Sequence, residues 1–247
     1  MTDFYQIYNT LVAGIEPGIT ITGTLCGSCW TAVETDDRFG MAMTTPGDTI
    51  VPMCAAPYEG MDLKELAMNA KSWNFIEASY GMAAVNTYYN TPQRLAHFGA
   101  ELDFDAYCTA GLDLHGKRIG VVGHLNMPSF VRQHAREVLI LERNPQPNDY
   151  PDSACEVILP TCDIVLITGS TLVNKTLPRL LQLCEKACTI LTGPTVPFCP
   201  ELLELGIDRI AGLVITDRAG MRRKIIEDIS GPPYPLGKSF LLTRDGK

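Results

Sequence analysis

A β-branched run that ends on a glycine, followed by an apolar run that ends on a lone carboxylate, constrains this 247-residue chain more than any other feature. Lys117-Arg118-Ile119-Gly120-Val121-Val122 reads as a strand closed by Gly123. Pro128 stands where the first turn of a helix begins, a position that tolerates a residue with no N–H. Val138-Leu139-Ile140-Leu141 reads as a second strand and stops at Glu142, 19 residues past Gly123. That spacing predicts a β-α-β unit of a Rossmann-like sheet, with the carboxylate placed to hydrogen-bond ribose or similar hydroxyls. Gly120 and Gly123 supply G-x-x-G in place of G-x-G-x-x-G, so a nicotinamide dinucleotide is not the expected ligand.

The pattern on either side of this unit differs. From about Ala110 onward, strands alternate with helices, as in a parallel sheet. A strand over residues 163–167 opens into Thr168-Gly169-Ser170-Thr171 and a helix over 175–184. A short strand over 189–191 opens into Gly193-Pro194-Thr195 and a helix near 200–205. A strand over 210–215 closes the series before a final helix over 218–229. Upstream, the spacing of Phe4, Ile7, Tyr8, Leu11 and Val12 predicts an amphipathic helix over 4–13. Strands are expected over 19–25, 30–34 and 39–44, then helices over 63–71 and 74–88. The sequence therefore predicts an α/β chain of two domains, residues 1–109 and 110–247.

Charge and composition exclude several function classes. With 20 basic and 28 acidic residues the net charge is −8, and Arg222-Arg223-Lys224 is the densest basic cluster, so nucleic acid is not an expected partner. No apolar run reaches the roughly 18 residues of a membrane span. The polar start lacks the basic region of a signal peptide, which predicts a soluble, cytoplasmic chain without membrane insertion. Nine cysteines, an odd number set mostly in apolar segments, read as reduced thiols packed as small hydrophobes.

Ligands of open α/β sheets bind beyond the carboxyl ends of the strands, which directs attention to four polar loops. They hold Gly123, His124 and Asn126; Glu142 and Asn144; Thr168, Gly169, Ser170 and Thr171 with Asn174; and Gly193, Pro194 and Thr195. The Thr-Gly-Ser-Thr loop suits an anion at a helix N-terminus, although simple capping uses the same residues. His124, directly after the strand-ending glycine, is placed to move a proton or touch a ligand, the alternative being a solvent-facing loop histidine. Cys26 and Cys29 form C-x-x-C, the spacing of a metal or redox pair. No second pair or nearby histidine completes a tetrahedral set, and two buried thiols or a hairpin turn explain them better. Asn74 with Glu77 reads as a helix cap. Asn86 has no such local explanation.

Several motifs together are similar to one family. Ser72-Trp73-Asn74-Phe75-Ile76-Glu77-Ala78 leads to Ala83-Ala84-Val85-Asn86; then come Val121-Val122-Gly123-His124, Leu141-Glu142-Arg143-Asn144-Pro145, the run from Ile167 to Thr176, and Gly193-Pro194-Thr195. In that order they resemble the heavy-metal-chelation domain family of prokaryotes, long classed as a domain of unknown function. The resemblance covers nearly the whole chain. It implies an enolase-N-terminal-like α+β domain followed by a Rossmann-like parallel-sheet domain, with the active site where they meet. It also implies a condensation or hydrolysis enzyme for a pterin-, flavin- or siderophore-like metallophore precursor, linked to heavy-metal chelation or transport. Carried over by motif, Asn74, Glu77 and Asn86 face Glu142, the Thr168–Asn174 loop and Gly193–Thr195, with Glu77 or His124 as the proton-moving catalytic group. The cofactor expected is a heavy metal held through a bound chelator. A non-catalytic metal or metal-chelate carrier is the alternative, and an S-adenosylmethionine-dependent methyltransferase is a third reading. A homodimer is the general expectation for such a protein.

Overall fold

The computed structural model describes residues 3–47, 50–52, 56–97, 101–102 and 107–244, so Cys54 and the first two residues of the polar start lie outside it. Two sheets organise these residues. The smaller is an antiparallel meander of β1 (Gly23–Cys26), β2 (Trp30–Glu34) and β3 (Phe39–Met43). The larger comprises β4 (Glu101–Leu102), β5 (Arg118–Val122), β6 (Glu137–Glu142), β7 (Tyr150–Pro151), β8 (Ile164–Thr168), β9 (Cys188–Thr192), β10 (Arg209–Ile215) and β11 (Gly237–Thr243). Its spatial order is β4-β11-β10-β9-β8-β5-β6-β7. Strands β5 to β10 run parallel to their neighbours, and β11 and β4 add antiparallel pairs at one edge. In chain order the parallel strands lie third, second, first, fourth, fifth, sixth. Growth of the sheet therefore reverses between β5 and β8, opening a crevice beyond their carboxyl ends.

The near-continuous apolar runs of β5 and β8 follow from burial on both faces. Ile119, Val121, Ile164 and Leu166 pack into one layer with Val131, whereas Val122, Val165 and Ile167 pack into the other, as the two-residue period of a strand requires. The helices are α1 (Gln6–Ala13), α2 (Leu63–Ala67), α3 (Phe75–Tyr89), α4 (Pro92–His97), α5 (Ser129–His134), α6 (Cys155–Ile158), α7 (Ser170–Val173), α8 (Leu177–Leu183) and α9 (Arg218–Ile226). One hydrophobic cluster runs from Tyr8 and Leu11 of α1 through Met82 and Val85 of α3 to Ile167 and Leu191 of the large sheet. The early segment thus lies as a layer against one face of that sheet. On its other side, Trp30, Ala32 and Met41 of the meander pack on Leu213 and Ile215 and on Met221 and Ile225 of α9.

Helix α3 is buried almost all round because β2 and β3 cover one side and α2 another. Its start is capped by Asn74, whose side chain accepts a hydrogen bond from the Glu77 amide at 3.1 Å. Gly40 allows β3 to lie directly on α3, since a Cβ there would collide with the Thr87 amide and the Ala83 carbonyl.

The structure corrects several element boundaries. The expected strand over 19–25 pairs regularly only from Gly23, with a single bridge between Thr20 and Asp62 upstream. The helix expected from Lys175 begins at Leu177, because Lys175 takes a left-handed backbone with φ +67°. Nor does the strand over 210–215 close the sheet. β11 returns antiparallel beside it, and the two-residue strands β4 and β7 form the edges. Strands this short carry too few residues to show a period of two.

Candidate functional site

Beyond the carboxyl ends of β5, β6 and β8 lies a cleft of about 540 Å³, to which β3 contributes Met43. Gly123 makes it possible. Its φ is +97°, and a Cβ would stand 2.8 Å from Thr168 Cγ2, so the two central strand ends approach only because this residue has no side chain. Glu142 then ties the loops together. Its Oε2 accepts from the His124 amide at 2.9 Å, and its Oε1 accepts from the Arg143 and Asn144 amides at 2.7 and 3.3 Å. The strand-end carboxylate is therefore largely engaged by backbone, with Oε2 retaining capacity to accept one more bond.

His124 Nε2 lies 2.5 Å from Asp149 Oδ2, and the same oxygen accepts from the Gln146 amide at 2.7 Å. The Gln146 amide, and after it His124, hold the Asp149 carboxyl below the usual carboxylate range. One imidazole nitrogen is thus anchored by a carboxylate, the arrangement in which the other nitrogen can exchange a proton with a ligand. Two guanidiniums stand at the mouth. Arg143 Nε is 3.5 Å from Asp152 Oδ2, and Arg179 grips Glu156 with both Nε at 2.9 Å and Nη2 at 2.5 Å. These arginine side chains are 49% and 56% exposed; one long contact holds Arg143 only weakly and leaves it available to an incoming anion, whereas Arg179 is held at two points and also donates from Nη1 to Gln182 Oε1 at 3.0 Å. On the wall between them, burial and then the nearby Asp152 push the Cys155 thiol up to about 11.

The Thr-Gly-Ser-Thr segment is knitted mainly to itself. Thr171 Oγ1 donates to the Thr168 carbonyl at 2.7 Å, Thr168 Oγ1 and Ser170 Oγ are 3.2 Å apart, and the Ser170 amide donates to Thr168 Oγ1 at 3.4 Å. Asn174 Oδ1 accepts from the Thr176 amide and hydroxyl at 3.2 and 2.6 Å. Lys175 follows, 3% exposed; its Nζ donates to the Val173 carbonyl at 2.9 Å and sits 5.1 Å from the Tyr8 ring centroid. Burial without a compensating carboxylate lowers its pKa to about 7.

Gly123, His124, Glu142, Thr168, Ser170, Thr171 and Asn174 all line the cleft. Asn126 is not among its lining residues, and Asn144 reaches it only through the bond to Glu142. The Gly169 amide donates to the Thr192 carbonyl at 2.8 Å, in the packing behind the cleft. Gly193, Pro194, Thr195, Asn74, Glu77 and Asn86 lie elsewhere. Asn86 Nδ2 donates to the carbonyls of Met41 at 2.7 Å and Thr195 at 2.9 Å, while Thr195 Oγ1 accepts from the Met43 amide at 2.9 Å. These residues form a buried seam between the early layer and the large sheet. Asn74 donates to the Ile50 carbonyl at 2.8 Å, and Glu77 is buried in the first turn that Asn74 caps. Cys26 ends β1 and Cys29 lies in the β1–β2 turn, and both are exposed.

Asp149, Arg143, Arg179, Asp152 and Glu156 were not singled out from the sequence. Asp149 and Asp152 sit in a proline- and asparagine-rich stretch that carries no period, and only a charge count over residues 143–156 would have flagged them. Among the described residues no group of three His, Cys, Asp or Glu side chains is placed to hold a metal ion, and no helix is long and apolar enough to cross a membrane.

Residues 110–234 match the family DUF364, and residues 8–89 match DUF4213, both described as "Putative heavy-metal chelation". An uncharacterized protein of Methanocaldococcus jannaschii is 30% identical over 164 residues, which take in 63% of this chain and 61% of that protein's length. A crystal structure of a DUF364 protein of unknown function from Desulfitobacterium hafniense superposes with a TM-score of 0.88 at 33% identity, covering 98% of each chain. Another from Pyrococcus horikoshii gives a TM-score of 0.80 at 25% identity, covering 98% of this chain and 99% of that one.

Proposed function

The chain belongs to the DUF364 family described by heavy-metal chelation, and from that premise we propose that its cleft binds a small anionic metal chelator and acts on it as an enzyme of condensation or hydrolysis. The observation that carries this reading is the joint lining of one cleft by a loosely paired guanidinium, a second guanidinium held in a two-point pair at the surface, and a histidine anchored on a carboxylate. Arg143 and Arg179 would leave Asp152 and Glu156 for carboxylate, phosphate or catecholate oxygens on the ligand. His124, oriented by Asp149, would take up or return the proton of the bond being made or broken. Any metal in this cleft enters on the ligand, since no three-residue set of protein donors stands ready among the described residues.

The early layer would serve as the wall that supplies Met43; a division into residues 1–109 and 110–247, which β4 crosses by pairing with β11, and likenesses to an enolase N-terminal domain and a Rossmann-like sheet belong to this proposal. A methyltransferase reading has less support, because the carboxylate that would grip a ribose already accepts three backbone amides. Work in the cytoplasm alongside metal transport belongs to the same proposal.

Calorimetric titration with a pterin, flavin mononucleotide and 2,3-dihydroxybenzoate tests it. At least one should bind to wild type and bind about tenfold or more weakly to Arg143→Ala or Arg179→Ala, as expected when a charge-assisted bond worth about 1.5–3 kcal/mol is lost. Undiminished binding to both variants would remove the cleft from the function.

A further inference from the structure

Cys26 and Cys29 stand apart from the other described cysteines. Five of the remaining six are buried and Cys188 is half-buried, whereas these two are exposed and neither is in a disulfide. They sit at a tight reversal of the chain. Cys26 ends β1 in register with Thr31, and the Gly27 amide donates to the Trp30 carbonyl at 2.9 Å, so Ser28 and Cys29 are the two residues of the turn itself. Two cysteines separated by two residues around such a turn can share one metal ion.

Hydroxyl groups surround the sulfurs. Thr31 Oγ1 is 3.5 Å from Cys26 Sγ and is itself 2.8 Å from Thr44 Oγ1, while Ser28 Oγ lies 3.5 Å from Cys29 Sγ and donates its hydrogen bond to the Asp228 carboxylate. Tyr80 also hydrogen-bonds to Cys26. Donors of this kind stabilise thiolate over thiol and tune a metal held by it. The carbonyl of Cys29 accepts from the Thr44 amide at 2.9 Å, one residue beyond Met43, so the turn abuts the wall of the cleft.

The missing third ligand decides which ion fits. Zinc would need four donors, and no group of three exists here among the described residues. Soft, monovalent d¹⁰ ions accept two thiolates alone. We propose that Cys26 and Cys29 form a two-thiolate site for a thiophilic ion of the copper(I) class, at the turn beside the cleft. On uptake each thiol loses its proton to water, two sulfur–metal bonds form and no electron is transferred.

Copper(I) presented to the reduced, full-length protein as its bicinchoninate complex provides the probe. Wild type should withdraw one ion per chain, with release of acid. Cys26→Ser and Cys29→Ser, both at exposed positions that leave the fold intact, should lose this uptake, and Thr31→Val should weaken it about tenfold, as loss of an outer hydrogen bond to a ligand does. A reduced wild type that leaves the coloured complex untouched overturns the proposal, as does equal uptake by Cys26→Ser. Arg143→Ala leaves the thiol pair in place and should take up copper normally, so this site and the cleft succeed or fail separately.

Discussion

The seam between the early layer and the large sheet and the cleft beyond β5 and β8 are built from the same residue types, asparagine and threonine with a few charges, yet they serve opposite ends. In the seam, Asn86 and Asn90 are buried and donate to backbone, although Asn86 Oδ1 has no partner: Asn90 Nδ2 donates to the Val196 carbonyl at 2.9 Å and its Oδ1 accepts from the Phe198 amide at 3.0 Å. In the cleft, His124, Arg143 and Arg179 face solvent in part and hold partners that a ligand can displace. A buried polar group whose partners are all backbone locks two layers together; a half-exposed one with a side-chain partner can exchange it.

That contrast breaks most readily at Asn86. Replacing it by alanine should strip the Met41 and Thr195 carbonyls of their donor and lower stability by about 3 kcal/mol, read from the midpoint of urea unfolding. A variant that keeps its stability but loses ligand binding would instead move Asn86 into the site. Lys175 supplies the next largest effect. Its pKa falls from 10.5 to about 7 on folding, so between those values the unfolded chain holds the extra proton. Wild-type stability should therefore rise with pH from about 7 towards 10, with the full burial cost present below 7. Lys175→Met should be more stable than wild type at pH 6, by about 2 kcal/mol, and should lose most of that slope.

A smaller change is expected at Gly123, where alanine must adopt a positive φ and push against Thr168. About 1–2 kcal/mol of stability should go, and calorimetry should show weakened binding of any cleft ligand. Smallest of all, His124→Gln should leave the unfolding midpoint within about 0.5 kcal/mol of wild type while abolishing turnover of any cleft ligand. A large drop in stability there would class the His124–Asp149 contact with the seam.

Strands buried on both faces and glycines at strand ends leave strong local signals, and for that reason β5, β6, β8, β9 and β10 and the loops Gly123–His124 and Thr168–Thr171 were legible along the chain. The Asn74 cap was legible because its partner lies three residues on. Contacts over long separations left no such trace. Asn86 meets Thr195 across 109 residues, His124 meets Asp149 across 25, and neither follows from periodicity, since both depend on where the sheet's reversal brings separate loops. Cys26 and Cys29 looked like core or turn residues until the meander, lying edge-on beside the cleft, left their thiols in solvent. Local patterning thus dictated which segments form the sheet and where its glycine turns fall. Burial and partner exchange, which arise only when distant segments pack, sorted the polar residues into a structural seam and an open cleft.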